Sequence, residues 1–255
     1  MPEHSSLGRI YLIDELRGLA LIAMVVYHTL YDLEMMYQIP LGLYTNIGLI
    51  LFQACIAGTF IFLSGLSSEL SRNNLRRGVI CFACGAALTL FTFLFMKQYL
   101  IQFGILHLLG LSMILYSVLQ PLVQKIPPAA GLIVFGILFL FTYGVPQGYV
   151  GIPGVVHILL PRSWYTASPY LFPLGFPHPS FWSSDYFSLL PWFFLFLAGA
   201  CLGKPAKERR LPAFCYRSHL RPLAFAGRHT LLIYLAHQPV IYVMLWLVFG
   251  LIQGF

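Results

Sequence analysis

The sequence predicts an all-α, polytopic membrane helix bundle of about seven transmembrane helices with a cytoplasmic N-terminus. Three observations predict it. Of 255 residues, 59% are hydrophobic and only 9% charged, against roughly 25% charged in a soluble domain. The apolar residues gather into runs near the roughly 20 residues that a helix needs to cross a bilayer. The Lys and Arg residues fall almost entirely between alternate runs, as topology signals do.

The runs are read in order as spans at roughly 11–34, 46–70, 76–96, 100–120, 129–145, 186–203 and 226–250. The first is too long and too interrupted by acids to be a cleavable signal peptide. The second holds Gly58, Ser64, Gly65, Ser67 and Ser68, small residues that let helices approach closely. In the third, Cys81 and Cys84 resemble a redox pair on paper, but within a Phe/Ala/Gly-rich span they are read as packing residues. Pro127-Pro128 breaks the chain between the fourth and fifth spans. Segment 146–185, with Pro153, Pro161, Pro169, Pro173, Pro177 and Pro179 among aromatics, is read as a structured loop, not a span.

With seven spans, Arg9, Arg17, Arg72, Arg76, Arg77, Lys125 and the basic residues from Lys204 to Arg228 share the side of the N-terminus. Only Lys97 and Arg162 fall opposite. That asymmetry places the N-terminus in the cytoplasm and the 146–185 loop outside. It also accounts for the formal net charge of +7 without a nucleic-acid partner. The spans leave no room for a separate soluble catalytic domain, so any chemistry must be built from the helices and their loops. Membrane lipids are the surrounding partner, and a homo-oligomer is left open.

The first span is anomalous, because it carries Asp14, Glu15, Arg17, His28 and Asp32. Ionisable groups within a span are costly and mark candidate functional sites. Arg17 and His28 are eleven residues apart, about three turns plus 20°, which sets both on one face about 16 Å apart along the axis. His28 and Asp32, at i and i+4, share that neighbourhood; a carboxylate beside an imidazole can fix its tautomer and raise its basicity. A polar cluster at the interface would need no more than the same residues. His107, expected in the outer third to half of the fourth span, and His237, near the middle of the seventh, lie at broadly similar depth to His28. The three could line one cavity. No tight spacing of metal ligands occurs, so no metal is expected.

Asp185 precedes the sixth span, as a helix N-cap or as a substrate contact. Trp192, with Trp164 and Trp182, could stack on a sugar or belong to an interfacial aromatic belt. On the cytoplasmic side Arg17, Arg76 and Arg228 are the candidate phosphate ligands for a nucleotide-like cofactor, since arginine binds phosphate through paired hydrogen bonds.

The run Arg9-Ile10 through Ile13-Asp14 to Leu16-Arg17-Gly18-Leu19-Ala20, His28 with Tyr31-Asp32-Leu33, Phe62-Leu63-Ser64-Gly65, Phe103-Gly104-Ile105-Leu106-His107, Leu190-Pro191-Trp192-Phe193 and Gly227-Arg228-His229-Thr230 through His237-Gln238-Pro239 resemble the bacterial branch of the heparan-alpha-glucosaminide N-acetyltransferase-like catalytic-domain family. The order of these motifs covers nearly the whole chain. The spacing of Arg17 and His28 is also similar to the first-helix motif of the membrane acyltransferase-3 family. The resemblance implies a single membrane-embedded acyltransferase-like domain over 1–255, in a bacterial inner membrane. It would take an acetyl group from cytosolic acetyl-CoA to an extracytoplasmic, saccharide acceptor of the cell envelope. It implies Arg17, Arg228 and Arg76 as coenzyme ligands, and His28 as general base or transient acyl carrier with Asp32 orienting it. His107 would stand beside them as catalytic, and Asp185, Trp192 and His237 would meet the acceptor. The large luminal N-terminal portion of the lysosomal relative has no counterpart here, so heparan sulfate itself is not the expected substrate. A proton-coupled transporter, or a non-catalytic membrane partner of an envelope-glycan complex, would use similar buried groups. The chain shows no repeat symmetry of the kind many transporters carry.

Overall fold

The computed structural model describes residues 9–43, 45–152 and 155–253. It is 71% helical, with seven helices long and apolar enough to cross a membrane among the described residues. These are α1 (Tyr11–Met35), α2 (Ile47–Leu70), α3 (Asn74–Phe95), α4 (Ile105–Val123), α5 (Pro128–Thr142, continued as a membrane-length segment to Gln147), α7 (Leu189–Lys207) and α9 (Thr230–Gln253). Two short helices complete the set, α6 (Ser163–Thr166) and α8 (Arg221–Arg228). The helices fall into two compact units. One takes Met1–Phe60 with Leu211–Phe255, and the other Ile61–Arg210.

In the first unit, α1 packs against α8 and α9. The α1–α8 contact is made by two glycines acting reciprocally. A Cβ on Gly18 would overlap the Leu223 carbonyl, and a Cβ on Gly227 would overlap the Asp14 carbonyl. In lipid there is little hydrophobic gain from bringing helices together, so such backbone-to-backbone approach carries the association. The expected seventh span therefore starts later than residue 226. Arg221–Arg228 form a separate helix pressed onto α1, His229 caps it, and the Thr230 hydroxyl donates to the Gly227 carbonyl at 2.6 Å where α9 begins.

In the second unit, α3 packs on α4 and α5 on α7. A Cβ on Gly65 of α2 would overlap the Phe196 carbonyl of α7, and one on Gly199 would overlap the Phe62 carbonyl. Gly199 and Gly203 form a Gly-x-x-x-Gly stripe, and Gly203 seats the Glu69 side chain. Cys81 is buried between α3 and α4, its thiol 3.5 Å from the Leu106 carbonyl.

The fourth helix starts at Ile105, some five residues later than the composition predicts, because the chain bends at Gln102 and Phe103, where Phe103 takes a φ of +59°, and α4 is capped from elsewhere. His107 consequently lies in the first turn of α4, not in the outer third to half of a longer span. The Pro-rich segment is folded. Tyr149–Val150 pairs antiparallel with Ile158–Leu159, Phe172 stacks on Phe181 at 4.7 Å, and the Tyr186 hydroxyl donates to the Phe172 carbonyl at 2.6 Å. Trp164 and Trp182 remain exposed on it.

Candidate functional site

In the first unit, α1 and α9 bring four polar residues together inside their spans. The His28 and His237 rings lie 4.8 Å apart, tilted by 55°. Asp32, 3% exposed, accepts from the Gln238 side-chain amide at both carboxylate oxygens, at 2.9 and 3.0 Å. The carboxylate that the i, i+4 spacing assigns to His28 is thus held by a glutamine of another helix, and the ring beside His28 is a second imidazole. Tyr27 meets His28 edge-on at 5.9 Å. His28 itself is half-buried, whereas His237 is buried. Gln238 was not singled out among the candidates. Its signal is an amide inside an apolar helix, directly after a histidine and before the helix-interior Pro239.

In the second unit, His107 and Asp185 stand at the start of α4. The His107 ring is stacked against Phe103 at 5.7 Å and meets Phe82 edge-on at 5.2 Å. Its Nδ1 lies where a Cβ on Gly85 would come within 2.8 Å. The Thr89 hydroxyl donates to the Ile101 carbonyl at 2.7 Å, so its contact of 3.5 Å with His107 Nε2 casts the ring nitrogen as donor. This is a histidine wedged by packing on every side.

Asp185 is a helix cap, but not of the helix that follows it. Ser188 holds the N-cap position of α7, and Asp185 instead accepts from the Ile105 N–H at 3.2 Å, in the first turn of α4. Gly104 makes room for it, since a Cβ there would overlap the carboxylate. Burial pushes the Asp185 carboxyl up to about 6 from its ordinary 3.8, against the Ile105 N–H that pulls it down. The folded state therefore holds this proton more tightly than the unfolded chain. The resulting stabilisation is complete below about pH 4 and lost as pH rises through about 6. Asp185→Asn keeps an oxygen for the Ile105 N–H and never charges. It should melt with the parent protein at pH 3.5 and at higher temperature at pH 7.5; a variant that melts lower at pH 7.5 would contradict the assignment.

Trp192 is buried and ringed by Phe139, Phe187 and Tyr143 at 5.3, 5.4 and 6.1 Å. Packing between α5 and α7 accounts for it.

The candidate phosphate ligands divide between the units. Arg17 is half-buried beside Gly18, and Arg228 is exposed beside Gly227, so both flank the reciprocal glycine contact of α1 with α8. The Arg228 guanidinium lies 5.8 Å from the Phe225 ring. Arg76 is exposed in the first turn of α3, where its N–H donates to the capping Asn73 side chain at 2.9 Å.

Two further acids organise their surroundings. Glu15 receives the N–H groups of His219 and Leu220 at 2.6 and 2.9 Å and the Ser218 hydroxyl at 3.3 Å. It thereby caps α8, whose own N-cap Leu220 has no side chain able to do so. Glu69, 3% exposed, accepts from Tyr116 at 2.6 Å, Gln120 at 3.1 Å and Gln124 at 2.7 Å. Those donors recur at i, i+4 and i+8 of α4, one stripe of the helix. Lys207 approaches Oε1, the oxygen that also accepts from Gln124, at 3.5 Å.

Seven helices long and apolar enough to cross a membrane, among the described residues, define an integral membrane protein. Residues 9–239 match the model of the heparan-alpha-glucosaminide N-acetyltransferase catalytic family. The chain belongs to that family, which makes it a transmembrane transferase of the acetyltransferase class. No curated protein and no solved structure matches it.

Proposed function

We propose that the protein transfers an acetyl group from cytosolic acetyl-CoA to a saccharide acceptor on the far side of a bacterial inner membrane. The observation that carries this reading is the pairing of the His28 and His237 imidazoles beside the Gln238-held Asp32, within a chain of an acetyltransferase family. Two neutral imidazoles can take a proton from an attacking hydroxyl or amine and return it to a leaving thiolate. The Lys/Arg asymmetry supports a cytosolic N-terminus. On that topology Arg17 and Arg228, which flank the α1–α8 contact, would face the side from which a coenzyme arrives. Arginine's planar fork suits the coenzyme's phosphates and Arg17 is the better-buried of the two. The acetyl donor would be bound by these residues and would supply the activated thioester carbonyl.

Acetyl-CoA should raise the melting temperature of the purified protein, and Arg17→Ala should remove most of that gain while leaving the ligand-free melt within a few degrees. A protein that acetyl-CoA does not stabilise, and that moves a solute across vesicles with a proton gradient, would instead be a carrier.

A further inference from the structure

Two of the site's polar atoms are buried without a hydrogen-bond partner among the described residues, His237 Nε2 and Gln238 Oε1. Buried acceptors of this kind are uncommon and call for a reason. The state of His237 follows from its other nitrogen. Nδ1 is hydrogen-bonded to the Tyr234 carbonyl, one turn back on α9. A carbonyl oxygen only accepts, so Nδ1 carries the proton. In a neutral imidazole Nε2 is then a bare lone pair. A cationic ring would bury an N–H with nothing to receive it, so the neutral form is the one that fits. The ring is 8% exposed, and Nε2 is sealed from solvent, so no acceptor molecule reaches it directly. The neighbouring ring is that of His28, half-buried and 4.8 Å away centre to centre.

We infer that His237 is a positioning residue behind His28, whose fixed Nδ1–H tautomer keeps Nε2 ready to receive the His28 ring proton during acetyl transfer. The inference rests on the acetyltransferase reading of this site. In the step it describes, the acceptor's O–H bond breaks and its proton passes to the outward nitrogen of His28. The His28 proton on the inward nitrogen passes to His237 Nε2. The acceptor oxygen bonds to the thioester carbonyl carbon, and the carbon–sulfur bond breaks to give a thiolate. The proton on His237 then returns to the inward nitrogen of His28, and the outward proton of His28 goes to sulfur, which leaves both rings as they began. Such a pair does the work of a carboxylate behind a histidine base. An imidazole partner differs by starting uncharged, which suits a site within the bilayer. The rings, 4.8 Å apart centre to centre, are near enough to bond once His28 turns a nitrogen toward His237 Nε2, and catalytic hydrogen bonds commonly tighten once substrate is bound.

The test is a pair of conservative variants. In His237→Asn the side-chain amide nitrogen replaces Nδ1, preserving the bond to Tyr234 and deleting the Nε2 acceptor. In His237→Gln the amide oxygen reaches the Nε2 position and restores an acceptor without basicity. Acetyl transfer to a saccharide should fall about 100-fold in His237→Asn and less in His237→Gln. KM for acetyl-CoA should hold near the parent value, and the acid limb of the kcat pH profile should move. Solid-state 15N spectra of histidine-labelled protein, with His237→Asn as the assignment blank, should place the His237 proton on Nδ1. A His237→Asn enzyme within threefold of the parent with an unmoved pH profile, or a proton found on Nε2, overturns this inference and leaves the acetyltransferase reading intact. A parent protein that binds no acetyl-CoA and transfers no acetyl group overturns both.

Discussion

Gly227→Ala is expected to cost about 3 kcal/mol and to lower the melting temperature in detergent by roughly 6–12 °C. The added methyl has nowhere to go. Its carbon would overlap the backbone carbonyl of Asp14, and backbone cannot swing aside as the end of a flexible side chain can. α8 must therefore lift off α1. In lifting it would pull the His219 and Leu220 N–H groups away from Glu15, so the loss extends beyond the one contact. Gly136→Ala on α5 is the matched control, because a Cβ there meets nothing within 4 Å. Removing a helix-interior glycine should make that control neutral or more stable by about 0.5–1 kcal/mol. Equal melting temperatures for the two variants would show that the α1–α8 contact is not close.

Glu69→Leu is expected to cost about 3–5 kcal/mol. The leucine fills similar volume but leaves the Tyr116 hydroxyl and the Gln120 and Gln124 amides without their common acceptor. A buried donor left unpaired costs about 1–3 kcal/mol. Glu69→Gln retains one oxygen for Tyr116 and should fall between the parent and the leucine variant. The Lys207 contact contributes little to this difference, because the ammonium side chain is 51% exposed. Thermal melts followed by tryptophan fluorescence would order the three proteins, and a leucine variant as stable as the parent would refute the assignment.

The spans were legible in the sequence because length and apolarity are local properties, and a bilayer demands both. The boundaries that shifted are those set by distant residues. Ile105 begins α4 because Gly104, which has no side chain to cap with, leaves space for a carboxylate from residue 185. The seventh span gave up its first residues because Gly227 is pinned to α1. Spacing alone could set His28 and Asp32 on one face of α1. It could not show that their neighbours are His237 and Gln238, adjacent residues of α9 that cover that face. The Tyr116, Gln120 and Gln124 stripe was readable as a periodicity of polar groups in an apolar helix. Its meaning lay in Glu69, a single acid at the end of another span.

The polar groups of α1 carry a consequence for how the protein is made. This helix has the lowest mean hydropathy of the seven, 1.2 against 1.5 to 2.2 for the others. Glu15 and Asp32 find their partners only at residues 218–220 and 238. The ribosome needs roughly 10–40 s to add the intervening 200 or so residues. Through that interval α1 holds two unmatched carboxylates near or within the membrane. Nascent chains that stop short of residue 238 should keep α1 loosely seated and open to proteolysis. Emergence of α9 is thus the event that closes α1.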